Sequence, residues 1–406
     1  MVTKHRLVWS VCSAVIVSLA AAFAPLRAVV SADAGTLQQD VNALQNAGNA
    51  GVLAEVQQGG RISSARAGLA QIGGTDPVPL NGRYRTGSVT KTFVSVALLQ
   101  LVGEGRLSLD DTVDHWLPGV VTGNGNDGHL ITVRQLLNHT AGLFDYTNDD
   151  AFFATVATPA AFYANRYNHY SPQDLIAIAL SHPPAFASGT SWGYSNTDYI
   201  VAGEIIKAVT GHTWDTEVTN RIITPLGLTG TRAPGDDATI SGPHASGYHI
   251  YTSSPSNRVY TDTTEDNMSW ADAAGALITT TADENTFFSA LLSGQLLPPA
   301  QLAQMQTLVP LGSGVGYGLG IIGQQLHCSN QMIWWHNGGT VGYSTWAGIT
   351  ADGQLGLTLS LSTTSFDDAT FLTNTGNLTS KLIRHVFCGS QQASDDNFQA
   401  PHARLF

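Results

Sequence analysis

Ser88 and Lys91 stand three positions apart in "RTGSVTKTFVSVALLQLVGEGRLSLDD", residues 85–111. On a helix, positions i and i+3 share a face, so the hydroxyl and the amine can meet. From Thr92 to Val102 almost every side chain is apolar, without a polar stripe, which is the pattern of a buried helix. An ammonium held there is costly, and desolvation lowers the pKa of its amine until it can act as a base. The chain has only four lysines, Lys4, Lys91, Lys207 and Lys381, so one placed in an apolar run calls for a reason. A serine at a helix start also sits among free backbone N–H groups that can hold a developing oxyanion. The pair reads as a nucleophile with its activator. Taken alone, it reads equally as an N-cap serine beside a snorkelling lysine.

Two further stretches shift that balance. "GYSNTDY" supplies Tyr194, Ser195 and Asn196 at the start of a helix. "WWHNGGTVGY" supplies His336, Asn337, Gly338 and Gly339 at the end of a strand. A tyrosine can pass a proton to a leaving group, and an asparagine can hold a substrate amide. Glycines after a strand allow close backbone approach and a second N–H for an oxyanion. Separately, Tyr194 is also readable as a core aromatic and His336 as a strand-end histidine.

In this order and spacing the set S-x-x-K, Y-S-N and H-x-G resembles the penicillin-recognising serine hydrolases. The branch it resembles holds the secreted D-alanyl-D-alanine carboxypeptidase/transpeptidase and is class C β-lactamase-like. The likeness runs from "YRTGSVTK" to "RHVFCGS" and takes in "ITVRQLLNHTAGLFDYTND" and "SALLSGQLLPPAQLAQMQ". It implies an α/β (α+β) fold: an antiparallel sheet from both termini, flanked by helices, plus an all-α subdomain. It implies Ser88 as the acylated nucleophile, Lys91 as its proton acceptor and Tyr194 as acid/base for the leaving amine. His336 would replace the lysine of K-T-G, and Asn196, Asn337, Gly338 and Gly339 would contact substrate. The Ser88 and Gly339 N–H groups would form the oxyanion hole. Phe152, Thr155 and Trp270 would line the substrate groove, and Cys328 and Cys388 fall where the family has a disulfide.

One departure matters. The family holds a terminal carboxylate with an arginine on the strand before H-x-G, and with threonines around that motif. Here Ile322 stands in place of the arginine and Asn337 and Gly339 replace the threonines, while no lysine or arginine occurs between Arg258 and Lys381. A blocked or longer substrate, such as an amide, an ester or an internal D-peptide bond, suits such a site better than a free acid. The expected function is a secreted serine hydrolase or acyltransferase acting on D-amino-acid-containing peptides. The alternatives are a β-lactamase or carboxylesterase on the same scaffold, or a penicillin-binding protein without turnover. A peptide or cell-wall-like substrate is expected as partner, with β-lactams as further ligands.

Two other sites compete. "GTSWG", residues 189–193, matches a nucleophile elbow around Ser191, but a proline-containing loop precedes it where a strand is needed. His139 in "LLNHTAGL" can be read as a base, although it sits beside a helix end.

The elements that must position these residues follow from periodicity. "GVLAEVQQ", "ISSARAGLAQI" and "GRYRTG" read as short β pieces, and residues 107–270 as helix and loop. "TADENTFFSALLSGQLL" and "PAQLAQMQTLV" read as helices, "VGYGLGII", "QMIWWHNGG", "YSTWAGIT" and "GQLGLTLSLST" as strands, and "NTGNLTSKLIRHVFC" as a closing helix. One catalytic domain over 33–390 is expected, with an α/β part at 33–110 and 272–390, a helical part at 111–271 and a polar tail at 391–406.

The first 32 residues run basic, apolar, then small, the order of a secretory leader, with a cut after Ala32 and Ala34 as second choice. An uncleaved membrane anchor is the alternative. The leader carries three of the 18 basic residues and none of the 30 acidic ones, which leaves the remainder at −15. So acidic a chain is not expected to bind nucleic acid or, once the leader is cut, a membrane. Cys328 and Cys388 remain as an even pair in an oxidising compartment and read as a disulfide rather than a reactive site. With no HExxH and no CxxC, no metal and no cofactor is expected. A monomer is expected.

Overall fold

A computed structural model describes residues 34–251 and 257–389. The leader and the 391–406 tail lie outside the described residues. The elements used below are α1 (Ala34–Asn46), β1 (Gly51–Gln58), β2 (Arg61–Gly68), α2 (Thr90–Gly103) and α3 (Asn196–Thr210). They continue with α4 (Thr281–Leu292), β3 (Val309–Gly312), β4 (Val315–Tyr317) and β5 (Ile322–Gln325). The last are β6 (Met332–Thr340), β7 (Tyr343–Thr350), β8 (Leu355–Leu361) and α5 (Ala369–Cys388).

The eight strands form one antiparallel sheet in the order β2-β1-β8-β7-β6-β5-β4-β3. The early strand β1 therefore pairs with the late strand β8 inside the sheet, with Val52 opposite Leu361. The pattern of β8 shows why it is central. Leu355, Leu357, Leu359 and Leu361 alternate with Gly356, Thr358 and Ser360, so one face is wholly apolar. That face packs with Leu37, Val41 and Leu44 of α1 and Leu382, Ile383, Val386 and Phe387 of α5. On the other face Thr358 donates to Asn285 Oδ1 of α4 at 3.0 Å, and Asn285 Nδ2 donates to Glu55 at 3.1 Å.

Helix α2 is the pillar of the second layer. Every residue from Thr90 to Leu99 is buried, which accounts for its lack of a polar stripe. Phe93 stacks on Phe287 of α4 with centroids 3.6 Å apart, and truncating either ring costs about 3–5 kcal/mol in such a core. Beside it, α3 is stopped by Gly211 in the left-handed conformation, φ +80°.

Three readings of the sequence change. "VGYGLGII" is not one strand: it folds back between β4 and β5, where Gly318 N–H donates to the Ile321 carbonyl. Gly320 has φ +73° in that turn, and a Cβ there would lie 2.1 Å from Ser95 Oγ. Residues 107–270 are not only helix and loop, because Tyr248–Ile250 and Tyr260–Asp262 make a small sheet with Thr363–Ser365. The regular part of α2 begins at Thr90, since Gly87–Val89 forms a 3-10 turn opened by Gly87 at φ +60°.

Candidate active site

Ser88 sits in that tight turn, and the turn carries its side chain over Lys91. Lys91 Nζ lies 2.9 Å from Ser88 Oγ, 2.7 Å from Asn196 Oδ1 and 2.8 Å from the Ala274 carbonyl. Asn196 opens α3, and Ala274 belongs to the helical turn Asp272–Gly275, so three separate segments converge on one amine. Lys91 is fully buried. Burial brings its pKa down to about 7, against the pull of Asp145 and Asp198, whose charges raise it. All three partners can accept from the ammonium; in the neutral amine two hydrogens can stay with Asn196 and Ala274, which leaves the lone pair for the Ser88 hydroxyl.

Asn196 is itself held. Its Nδ2 donates to Asp145 Oδ2 at 3.1 Å, and Asp145 also accepts from the Thr147 backbone and hydroxyl. The asparagine can thus present its oxygen only toward Lys91. Tyr194 lies on the opposite side, with its ring centroid 4.8 Å from Lys91 Nζ. Burial pushes the Tyr194 hydroxyl well above its ordinary pKa, and a hydrogen bond to Ser88 pulls the other way. It stays protonated and can give a proton.

His336 is buried on β6. Tyr317 OH stands 2.9 Å from its Nε2, while its Nδ1 lies 2.6 Å from the Asn337 carbonyl. That carbonyl can only accept, so Nδ1 carries the proton and Nε2 accepts from Tyr317. Burial, then the charge of Lys91, lowers the His336 pKa to about 3, so the ring is neutral at physiological pH. The backbone of Gly338 and Gly339 runs against the serine turn. A Cβ on Gly338 would lie 1.9 Å from the Thr86 carbonyl oxygen and 2.8 Å from Ser88 N. A Cβ on Gly87 would lie 2.5 Å from Gly339 N. No side chain fits between them, which is why both stretches are glycine there.

Ser88, Tyr194, His336, Asn337 and Gly338 open onto one cleft of about 620 Å³, whose far wall is Trp192, Tyr317, Ile322, Gln324 and Trp335. Lys91 and Asn196 lie beneath its floor. Phe152, Thr155 and Trp270 are not brought to that cleft. They line a separate cavity of about 20 Å³ with Tyr170, Arg166 and Asp266. Apolar packing explains the difference: Phe152 meets Tyr146 edge-on at 5.2 Å, and Phe152 and Trp270 are both buried. Cys328 and Cys388 are bonded, tying the turn after β5 to the end of α5.

Of the competing sites, Ser191 is exposed in a loop and lines none of the cleft. His139 is buried, its ring centroid 4.4 Å from that of Tyr194, and its Nδ1 is 2.8 Å from Asp198 Oδ2. It braces Tyr194 from below. The residues missed from the sequence are Asp145, Thr147, Ala274, Tyr317, Trp192 and Gln324. Ala274 acts through its carbonyl, which leaves no trace in residue type. Asp145 lies within a stretch already noted, and its burial was the missing signal.

The beta-lactamase family model matches residues 34–376, and the chain belongs to that family. Among solved structures, a D-stereospecific amidohydrolase from Streptomyces sp. is 40% identical, with a TM-score of 0.80 over 88% of this chain and 99% of that one. The D-amino acid amidase from Ochrobactrum anthropi SV3, complexed with L-phenylalanine amide, shares the fold at 23% identity. Its TM-score is 0.73, over 86% of this chain and 97% of that one. Penicillin-binding protein 4* of Bacillus subtilis (strain 168) is 27% identical over 68% of this chain. The chain spans 60% of that relative's length.

Proposed function

We propose that this protein is a secreted serine hydrolase that cleaves amides and peptides of D-amino acids through an ester at Ser88. The observation that carries the reading is the seat of Lys91, buried 2.9 Å from Ser88 Oγ with Asn196 and Ala274 as its other acceptors, so that on losing a proton it turns a lone pair to the Ser88 hydroxyl. Ser88 Oγ attacks the substrate carbonyl carbon as its proton passes to Lys91 Nζ. The oxyanion is received by the N–H groups of Ser88 and Gly339. The C–N bond then breaks as Tyr194 gives its proton to the departing amine, and Tyr194 regains a proton from Lys91. Water then adds to the acyl carbon as Lys91 takes its proton, the bond from that carbon to Ser88 Oγ breaks, and Lys91 returns the proton to Oγ as the acid leaves; an amine entering instead gives transfer.

The D-preference is supported by the Streptomyces neighbour, a D-stereospecific amidohydrolase at 40% identity over almost its whole length. Ile322 in the cleft wall supports amides over free acids. Secretion is supported by the order of the leader and the paired cysteines. The test is hydrolysis of D- and L-phenylalanine amide, with the intact mass of the protein read during turnover. The expected result is faster release from the D-isomer and an acyl adduct that disappears in Ser88→Ala. Equal rates on the two isomers would sink the D-specific reading, and an adduct that survives the substitution would remove Ser88 as nucleophile.

A further inference from the structure

The lining of the cleft carries polar atoms that the mechanism does not use. Tyr194 is the group that protonates the departing amine, so the leaving fragment lies along the Tyr194 side. Trp192, Tyr317, Ile322 and Gln324 line the same cleft as Tyr194. Among the described residues, none that lines the cleft is a lysine, arginine, aspartate or glutamate, and the one histidine there, His336, is neutral. Ile322 and Gln324 stand two apart on β5, so their side chains share a face. Pairing with Trp335 and Ile333 of β6 fixes that register.

The Oε1 of Gln324 and the Nε1 of Trp192 are buried without a hydrogen-bond partner among the described residues. Gln324 is only 5% exposed. Buried polar atoms are normally hydrogen-bonded, so an orphaned acceptor and an orphaned donor on two residues that line one cleft describe the ligand that would complete them once the side chains turn toward it. It must offer a hydrogen to Gln324 and a lone pair to Trp192, in a setting without charge. A carboxamide does both: its N–H donates to Gln324 Oε1 and its carbonyl accepts from Trp192 Nε1. A carboxylate can accept from Trp192 Nε1 or Gln324 Nε2 but has no hydrogen for Gln324 Oε1, and no cation among the described residues lining the cleft offsets its buried charge.

We propose that Gln324, Trp192 and Ile322 form a subsite for an uncharged carboxamide carried by the leaving fragment, as in an amino-acid amide or the next peptide bond of a longer chain. The enzyme then cuts before a residue whose own carboxyl group is blocked. Gln324 is the specificity-determining residue of this subsite, and Trp192 its second hydrogen-bonding group. This rests on the roles given above to Ser88 and Tyr194.

The experiment compares D-phenylalanyl-glycinamide with D-phenylalanyl-glycine, which differ only at the terminal group. The readout is the ratio of the two kcat/KM values within each protein, so a general loss of activity cancels. Wild type should favour the amide by about tenfold or more, the discrimination expected when a buried polar group is left unpaired. Gln324→Leu should lower the ratio by about tenfold, because the acceptor is gone. Gln324→Glu keeps an acceptor and repels the free acid, so it should hold or raise the ratio. Trp192→Phe keeps the ring, removes the N–H and should lower the ratio several-fold. D-Phenylalanine methyl ester, whose departing methanol is too short to reach the wall, reports the Ser88 chemistry by itself. No Ser88-dependent turnover of the ester overturns both readings. Ester turnover with a wild-type ratio near one, or a ratio that Gln324→Leu does not move, overturns the subsite alone.

Discussion

Lys91 Nζ and Ser88 Oγ are 2.9 Å apart, and the full burial of Lys91 brings its pKa down to about 7. The base form is needed to accept the serine proton, and its population grows as pH rises through that value. The acid limb of kcat/KM should therefore bend at an apparent pKa of about 7. His336 titrates at about 3 and adds nothing to this limb. Lys91→Arg keeps the charge, cannot lose a proton and should lower kcat/KM by about 10²–10⁴-fold. A profile flat from pH 5 to 9 would show that Lys91 is not the base.

Asp145 tests the same electrostatics from a distance. Its charge raises the Lys91 pKa, while its own is raised by burial and lowered by the Thr147 bonds and by Lys91. Asp145→Asn removes the attraction for the ammonium, so the Lys91 pKa should fall and the acid limb should move to lower pH. The new carboxamide has one acceptor oxygen where Asp145 uses two, so it can keep either the Asn196 or the Thr147 bonds, and the direction of the limb's shift, not the absolute rate, is the readout. A limb displaced upward, or not at all, contradicts the assignment of that limb to Lys91.

The contact of Gly338 with the serine turn predicts a loss that is geometric rather than chemical. In Gly338→Ala the new methyl would lie 1.9 Å from the Thr86 carbonyl oxygen, backbone against which no flexible side chain can give way. The turn must move, taking Ser88 with it, and displacements near 1 Å can cost about 10² in rate. Labelling of Ser88 by a fluorophosphonate should slow by about that factor while the protein stays folded by circular dichroism. Unchanged labelling would mean that the serine turn and β6 are not packed as described.

These relationships mark how far the sequence could be read. Ser88, Lys91, Tyr194, Asn196 and His336 were legible because their spacing and types already form a set, and the structure gathers them within one site. The strands β1, β7 and β8 were legible because apolar runs bounded by turn residues leave little choice of element. Phe152 and Trp270 were misplaced because an aromatic lining a groove and one filling a core have the same sequence signature; only packing separates them. The break of "VGYGLGII" into β4 and β5 was hidden because its glycines fit a strand as well as a turn. Gln324 was invisible for the opposite reason. A glutamine on a short strand is ordinary until its oxygen is found buried without a partner.

Ser191 offers a control on the nucleophile. It is exposed in a loop, and its neighbours Trp192, Gly193 and Tyr194, not Ser191, line the cleft. Ser191→Ala should leave kcat/KM within about twofold, as is usual for a surface substitution away from a site. A loss comparable to that of Ser88→Ala would revive the reading of "GTSWG" as a nucleophile elbow.

The bond between Cys328 and Cys388 predicts a stability effect separate from catalysis. It closes a loop across 60 positions, and the chain-entropy relation gives about 4 kcal/mol for such a loop. It also fixes the turn after β5, the strand that carries Ile322 and Gln324. Paired Cys328→Ser and Cys388→Ser substitutions should lower Tm by several degrees, and reduction of the wild-type protein should lower it equally. Because β5 is additionally pinned by its pairing with β6 from Ile322 to Gln325, the acid limb of the pH profile should not move in the folded variant. A reduced protein that melts where the oxidised one does would mean the two cysteines are not joined.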